Sequence, residues 1–290
     1  MPLVTMKEIL NEARKGKYAL GAFEFWSFDS ARAVAESAAE LGLPAILQAG
    51  LLECGYAGGF KNLYVMAKMA SEDFGVSIAL HLDHAEEHDI ILKALDAGFT
   101  SVMIDASAMS YDENVAVTKR VVDAARAYGA SVEAELGRLT GSEGNVVIVE
   151  EEAAQTDPDE AARFAAETGI DALAVAIGTA HGFYTFTPKL NISRLIEISE
   201  KTKIPLVLHG GSGTPDEQVA EAVENGIAKV NICTEFVAAY GKKYIETQNQ
   251  PGFKYSVPSL FGPSVSTGKE LVKSKMELFS RRAIERGRVR

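Results

Sequence analysis

The chain has 290 residues, 47% hydrophobic and 24% charged, with a formal net charge of −11; this is ordinary globular composition, large enough for one core without staples. The acidic balance excludes a general nucleic-acid surface, which would be basic, and no apolar run is long enough to cross a membrane. The start lacks the basic-then-apolar layout of a signal peptide, and Cys54 and Cys233 form neither a disulfide framework nor a CxxC site, so the expected setting is the reducing cytoplasm.

In chain order, Thr5-x-x-Glu8 predicts a capped helix ahead of the first strand. Strands are then expected at Tyr18–Phe23, Pro44–Gln48, Ser77–Leu82, Ser101–Asp105, Ser131–Leu136, Ala172–Ile177, Pro205–His209 and Lys229–Ile232. They read as continuous apolar stretches, as parallel strands covered on both faces do. Ser110-x-x-Glu113 opens a helix as a capping box and Gly129 closes it. Asp157-Pro158-x-Glu160 and Thr214-Pro215-x-Glu217 each combine a box with proline at the first helical position. Gly169 and Gly226 stand where a left-handed closing residue belongs. The connection from Gly137 to Thr156 has the length of a lid. From Lys269 to Arg290 a basic run is interleaved with Leu271, Val272, Met276, Leu278, Phe279 and Ile284. It predicts an amphipathic helix packed on the body or on a partner subunit, with a polyanion surface as the alternative.

Eight β–α units predict one (β/α)8 TIM barrel over residues 1–290, with an extra N-terminal helix and a C-terminal helical extension. A doubly wound sheet fits less well, because no G-x-G-x-x-G follows the first strand.

Barrel chemistry sits at the C-terminal ends of the strands. The third strand ends His81-Leu82-Asp83-His84 and the fourth ends at Asp105. The fifth carries Glu133-Ala134-Glu135, and the sixth is followed by Gly178-Thr179-Ala180-His181-Gly182. The seventh ends His209-Gly210-Gly211-Ser212-Gly213, and the eighth runs into Asn231-Ile232-Cys233-Thr234-Glu235. Four of the five histidines of the chain are in this set. Three histidines from three strands, His84, His181 and His209, have the composition of an open catalytic Zn2+ site, since imidazole suits zinc. His81 reads as a packing group, and His88 as part of the solvated start of the next helix. The Gly211-Ser212-Gly213 turn leads into a helix start, where backbone N–H groups bind anions, with Asn231 to Thr234 as the companion loop. A phosphorylated substrate follows.

These residues carry a resemblance. His81-Leu82-Asp83-His84 and Val132-Glu133-Ala134-Glu135-Leu136-Gly137 resemble the two signatures of the class II metal-dependent fructose/tagatose-bisphosphate aldolases. Ala174 to Gly182 and Val207 to Gly213 extend the match over nearly the whole chain, closest to the tagatose-bisphosphate branch. The resemblance implies that Zn2+ on His84, His181 and His209 binds dihydroxyacetone phosphate through its carbonyl and hydroxyl oxygens. Asp83 would be the general acid/base at the second carbonyl, and Glu143 the base that forms the enediolate. Asp105 and Glu135 match positions that take a second or displaced metal ion. Gly182, Gly210, Gly211, Ser212, Asn231, Ile232, Cys233 and Thr234 match the dihydroxyacetone phosphate contacts, with a monovalent cation such as Na+ or K+ near the phosphate.

The sequence departs from the family at Thr140, where the second signature usually has Gly or Met, and at the end of the first strand. There Phe23-Glu24-Phe25-Trp26 replaces the usual Phe-Asn, and no Ser or Thr follows the second strand. Glu24 would repel a second phosphate, with Trp26, Leu51 and Leu52 as apolar walls. The expected reaction is reversible aldol cleavage of a ketose phosphate of the fructose/tagatose-bisphosphate type. The alternative within the family is a ketose 1-monophosphate with an unphosphorylated aldehyde. Outside it stand a metal-dependent barrel hydrolase and a silent sugar-phosphate binding protein. No nucleic acid or membrane partner is expected, and the assembly is expected to be a homodimer or homotetramer.

Overall fold

Residues 3–137, 141–143, 146–148, 155–179, 187–285 and 287 are described by the computed structural model. Helix α1 (Met6–Gly16) begins as the sequence predicts: Thr5 Oγ1 accepts from Glu8 N, and the Glu8 carboxylate accepts from Thr5 N at 2.8 Å. Its apolar face, including Met6, Ile9, Leu10 and Ala13, is buried. Met6 N donates to the Ser131 hydroxyl and Val4 N to the Ile78 carbonyl. Both acceptors stand at strand starts, so α1 closes the N-terminal mouth of the barrel. The opposite rim is left for chemistry.

Strands β1 (Leu20–Glu24), β2 (Ala45–Ala49), β3 (Ile78–Ala85), β4 (Ser101–Ile104) and β5 (Ser131–Leu136) come first. A short antiparallel hairpin follows, β6 (Gly141–Glu143) and β7 (Val146–Ile148). The last barrel strands are β8 (Ala172–Val175), β9 (Leu206–Leu208) and β10 (Ile227–Ile232). The barrel closes in the order β1-β10-β9-β8-β5-β4-β3-β2 with parallel pairing throughout. Every residue of β1, β2, β5 and β10 is buried, which is why these strands read as largely apolar rather than alternating, apart from the site residues they carry.

Helices α2 (Phe28–Leu41), α4 (Phe60–Phe74), α5 (His88–Ala97), α6 (Tyr111–Tyr128), α7 (Pro158–Thr168), α8 (Ile192–Thr202) and α9 (Asp216–Glu224) follow their strands, with a short α3 (Leu51–Tyr56) after β2. Asp157 caps α7 by accepting from Asp159 N and Glu160 N, with Pro158 in the first turn. The Thr214 box does not form. Pro215 is itself the N-cap of α9, and the Thr214 hydroxyl turns back to the Gly210 carbonyl at 3.0 Å. The turn after β9 thus takes the side chain that the helix was expected to use. The long connection after β5 is also not uniform loop, since β6 and β7 pair within it.

After β10 the chain forms α10 (Thr234–Gln248) and α11 (Val257–Glu285). Val272, Met276 and Phe279 of α11 are buried, and Ala19 N, just before β1, donates to the Phe279 carbonyl. Lys269 pairs with Glu36 and Glu40, Lys273 with Glu40, and Lys275 with Asp216 and Glu235. As far as Glu285 the tail is therefore the packed amphipathic helix, and these three lysines face acids of the body rather than a polyanion; Arg286, Arg288 and Arg290 lie outside the described residues.

Candidate functional site

The rim begins with an irregular strand. The sequence ends the third strand at Leu82, but β3 continues to Ala85 through a register shift between Leu82 and Ala85. His84 has φ 41°, a left-handed conformation that is uncommon for a residue with a side chain. In a regular strand Asp83 and His84 would point to opposite faces. The bulge and the turned backbone instead bring ligand atoms of both within reach of His209, all inside 4.8 Å.

His84 and His209 face each other. His84 Nδ1 lies 2.8 Å from Asp105 Oδ2, and His209 Nε2 lies 2.8 Å from Glu133 Oε1. Both acids are acceptors, so these outer nitrogens carry the ring protons. The inner nitrogens, His84 Nε2 and His209 Nδ1, are 2.8 Å apart. Two neutral imidazoles held this way present lone pairs to each other, an arrangement that is stable only with a cation or a proton between them. Burial lowers the pKa of His209 and disfavours the proton. Rings oriented by carboxylates behind them are also how metal-binding histidines are commonly held. The donor set fits a metal ion, which His84 and His209 would hold.

Asp105 has both oxygens occupied, Oδ2 by His84 and Oδ1 by Ser107 N and Oγ. Burial works against its charge, but His84 and Ser107 prevail and hold its pKa at about 2. It stands behind His84, whereas Glu135 Oε2 lies 3.6 Å from the inner nitrogen of His209. His181 and Gly182 lie outside the described residues. Glu143 ends β6 with its backbone paired to Val146; its side chain also lies outside them.

Glu133 and Lys229 were not among the expected site residues. Lys229 is fully buried and its Nζ sits 2.8 Å from Glu133 Oε2. Burial opposes ionisation of Glu133, yet Lys229 and the His209 hydrogen bond outweigh it and hold its pKa at about 2. Its contribution to stability is therefore full above pH 4.5, the ordinary glutamate value, and is lost as the pH falls through about 2. Lys229→Met strands the Glu133 charge in the barrel and should cost about 3–5 kcal/mol. Lys229→Met/Glu133→Gln should recover part of that loss. Denaturant midpoints test this, and an unchanged midpoint in the single variant would contradict the buried pair.

Asp83 lies on the other side of the histidines. Its carboxylate accepts from Gln48 Nε2 at 3.0 Å and from Asn231 Nδ2 at 3.3 Å on both oxygens. Burial raises its pKa, but His84, the His81 contact and Lys229 more than offset this and hold it well below the ordinary range. His81 is buried, as the packing reading expects, with Nδ1 on the Ser101 hydroxyl at 2.8 Å and Nε2 3.6 Å from Asp83. His88 opens α5 beside Asp89, away from this cluster.

The glycine turn after β9 meets the end of β10 directly. Gly211 N donates to the Asn231 carbonyl, and a Cβ at Gly211 would come within 2.7 Å of that oxygen, so only glycine fits. The Ser212 hydroxyl accepts from Glu235 N at 3.2 Å. The two loops are thus one surface, with Cys233 as N-cap of α10 and Thr234 its first residue. Ile232 is fully buried, and its side chain faces Gly211 in the core. Only its backbone is placed for a ligand.

At the first-strand end, Glu24 is 3% exposed. Its Oε1 accepts from Gly50 N at 2.8 Å and its Oε2 from Gln48 Nε2 at 3.2 Å. Burial, with Glu53 and Asp83 adjacent, pushes its pKa well above the ordinary range. The expected walls are not all present. Trp26 packs on Phe236 and Tyr240 of α10 with ring centroids 5.3 and 5.5 Å away, and Leu52 is 72% exposed.

Comparison with known proteins agrees with this geometry. Residues 4–283 match the family model described as fructose-bisphosphate aldolase class-II. The fructose-bisphosphate aldolase of Geobacillus stearothermophilus is 42% identical over 281 residues, covering 96% of this chain and 97% of the relative. Among solved structures, the YdjI aldolase from Escherichia coli K12 is 34% identical with a TM-score of 0.83, covering 96% of this chain and 97% of that one. A putative fructose-1,6-biphosphate aldolase from Coccidioides immitis is 31% identical with a TM-score of 0.85, covering 95% and 96%. The curated relative is named for fructose bisphosphate, so the tagatose branch gains no support.

Proposed function

We propose that this chain, which belongs to the class II fructose-bisphosphate aldolase family and is therefore an aldehyde-lyase, uses zinc to cleave a ketose phosphate reversibly into dihydroxyacetone phosphate and an aldehyde. The carrying observation is the facing pair of inner nitrogens on His84 and His209, each ring backed by a buried carboxylate. By its place in the family motif His181 would complete the ligand set; a displaced ion would be taken by Glu135 and Asp105, whose ligand atoms lie with that of His84 within 4.8 Å of one another, Asp105 giving up one of its present hydrogen bonds. The metal supplies a Lewis acid that polarises the ketone without a Schiff-base lysine.

The remaining steps belong to the chain. In condensation Glu143 takes the proton from the carbon next to the ketone to form the enediolate, and in cleavage it returns a proton to that carbon once the carbon–carbon bond has broken. Asp83 removes the proton of the hydroxyl that becomes the aldehyde in cleavage, and returns it in condensation. Its low pKa keeps it ionised and ready to accept. The joined surface of Gly210, Ser212, Cys233 and Thr234, with Gly182, holds the phosphate through backbone N–H groups, aided by a monovalent cation; Gly211, whose own N–H goes to the Asn231 carbonyl, lets the two loops meet there. Asn231 orients the substrate beside Asp83. The same reading carries a cytoplasmic enzyme, in keeping with the buried thiol of Cys54, that assembles as a homodimer or homotetramer. A screen of phosphorylated ketoses before and after chelator treatment tests the function. Cleavage should vanish with the metal and return with added zinc; chelator-resistant cleavage would overturn the reading.

One observation favours the ketose 1-monophosphate over a bisphosphate. Two donors at the end of the second strand are already used, Gly50 N–H by Glu24 and the Gln48 amide by Glu24 and Asp83 together, so neither serves a second phosphate. Glu24 blocks these donors without having to be charged, and its raised pKa disfavours the charge. The specificity constant for a ketose 1-monophosphate is expected to exceed those for fructose and tagatose 1,6-bisphosphates. A higher value for either bisphosphate would show that Glu24 does not control the distal phosphate.

A further inference from the structure

Gln48 bridges two buried carboxyl groups at the barrel mouth. Glu24 of β1 is level with Gln48 of β2, and Gln48 is level with His81 of β3, so Asp83, two residues on, faces the same pocket. The Gln48 amide nitrogen lies 3.2 Å from Glu24 Oε2 and 3.0 Å from Asp83 Oδ2. These two contacts use both of its hydrogens. Its carbonyl oxygen is buried with no donor. A buried acceptor without a partner is unfavourable, yet turning the amide over would set that oxygen against two carboxyl groups. The amide is locked with its donors toward the acids, and Glu24 supplies half of the lock. Glu24 is itself fixed by the Gly50 N–H.

We propose that Glu24 is a positioning residue that fixes the Asp83 carboxylate through Gln48. The proposal rests on the aldolase reading, in which Asp83 moves the proton on the aldehyde side. Without Glu24, one amide hydrogen loses its acceptor and the amide can turn its carbonyl oxygen toward Asp83. The contacts from Asn231, at 3.3 Å, are longer than the one from Gln48, so the carboxylate would lose its shortest amide tether.

The test uses the zinc-loaded enzyme and follows zinc content, proton exchange of dihydroxyacetone phosphate with solvent, and ketose phosphate cleavage. Glu24→Ala and Gln48→Leu should each lower kcat for cleavage on the order of 10-fold to 10²-fold, the effect of a misplaced catalytic group. Zinc content and proton exchange should stay at the wild-type level. The Glu24→Ala/Gln48→Leu double variant should lose no more than the worse single, because both act through one contact. In an Asp83→Ala background, Glu24→Ala should add no further loss. Glu24→Gln, which still offers the Gln48 amide one acceptor, should fall between wild type and Glu24→Ala; if Glu24→Ala does not fold, Glu24→Gln with Gln48→Leu makes the same comparison. Additive losses, parallel loss of exchange and cleavage, or undiminished cleavage would overturn the proposal. Absence of any ketose phosphate cleavage by the wild-type holoenzyme would instead overturn the aldolase reading beneath it.

Discussion

Replacing His84 or His209 by alanine is expected to abolish both bound zinc and ketose phosphate cleavage. An open catalytic site has three protein ligands and one exchangeable position, so the loss of one imidazole removes a large share of the binding energy. The structure sharpens the expectation, because each ring is already oriented by an acid behind it. Removing the ring therefore also weakens the hold on that acid: Asp105 loses its contact on Oδ2, and Glu133 keeps only Lys229 and the longer His81 contact, both on Oε2. Replacing the supporting Asp105 by alanine is the milder change, with zinc affinity falling on the order of 10-fold to 10²-fold. Metal analysis of the purified variants, beside the cleavage assay, separates these outcomes. Full activity in a metal-free preparation of His84→Ala would remove the metal from the reaction and return a Schiff-base route to consideration.

The same cluster shows how far the sequence could be read. Asp83, His84 and His209 were legible because a barrel places its chemistry at strand ends, and because histidines rarely collect there by chance. Glu133 and Lys229 were passed over, although both are charged residues inside strands that are otherwise apolar. A period of two would have exposed them. His81 and Asp83, Glu133 and Glu135, and Lys229 and Asn231 are each two residues apart, and in a strand such pairs share a face. A charged residue on a wholly buried strand has to meet a partner inside the barrel, and that alone joins Lys229 to an acid.

Other features had no local signal. The left-handed φ of His84 follows from a bulge between β3 and β4, which is a property of strand pairing rather than of the residues His81 to Ala85. Thr214 has the sequence of a helix cap, but its hydroxyl is drawn to Gly210 by the turn that closes on β10. Trp26 looks from its position like a substrate wall, and its ring is instead claimed by Phe236 and Tyr240, residues more than two hundred positions later. Each depends on contacts formed after the barrel closes.

Asp83→Ala should leave zinc bound and leave the exchange of a dihydroxyacetone phosphate proton with solvent intact, while ketose phosphate cleavage falls on the order of 10²–10⁴-fold. The two half-reactions need different groups. Proton loss next to the ketone needs a base and the polarised carbonyl, whereas bond cleavage needs a proton taken from the aldehyde-side hydroxyl. Asp83 is suited to the second task because Gln48 and Asn231 hold its carboxylate and its low pKa keeps it ionised. Glu143→Ala should differ in slowing the exchange itself, and cleavage along with it. The expected pH dependence has a defined sign: with the Asp83 pKa well below the ordinary aspartate range, protonating this base to stop cleavage takes a lower pH than an ordinary aspartate would. The readout is the pair of rates measured on the same preparation, exchange by isotope loss and cleavage by aldehyde release. Equal loss of both reactions in both variants would mean that Asp83 and Glu143 do not divide the work in this way, and that one of them only shapes the metal centre.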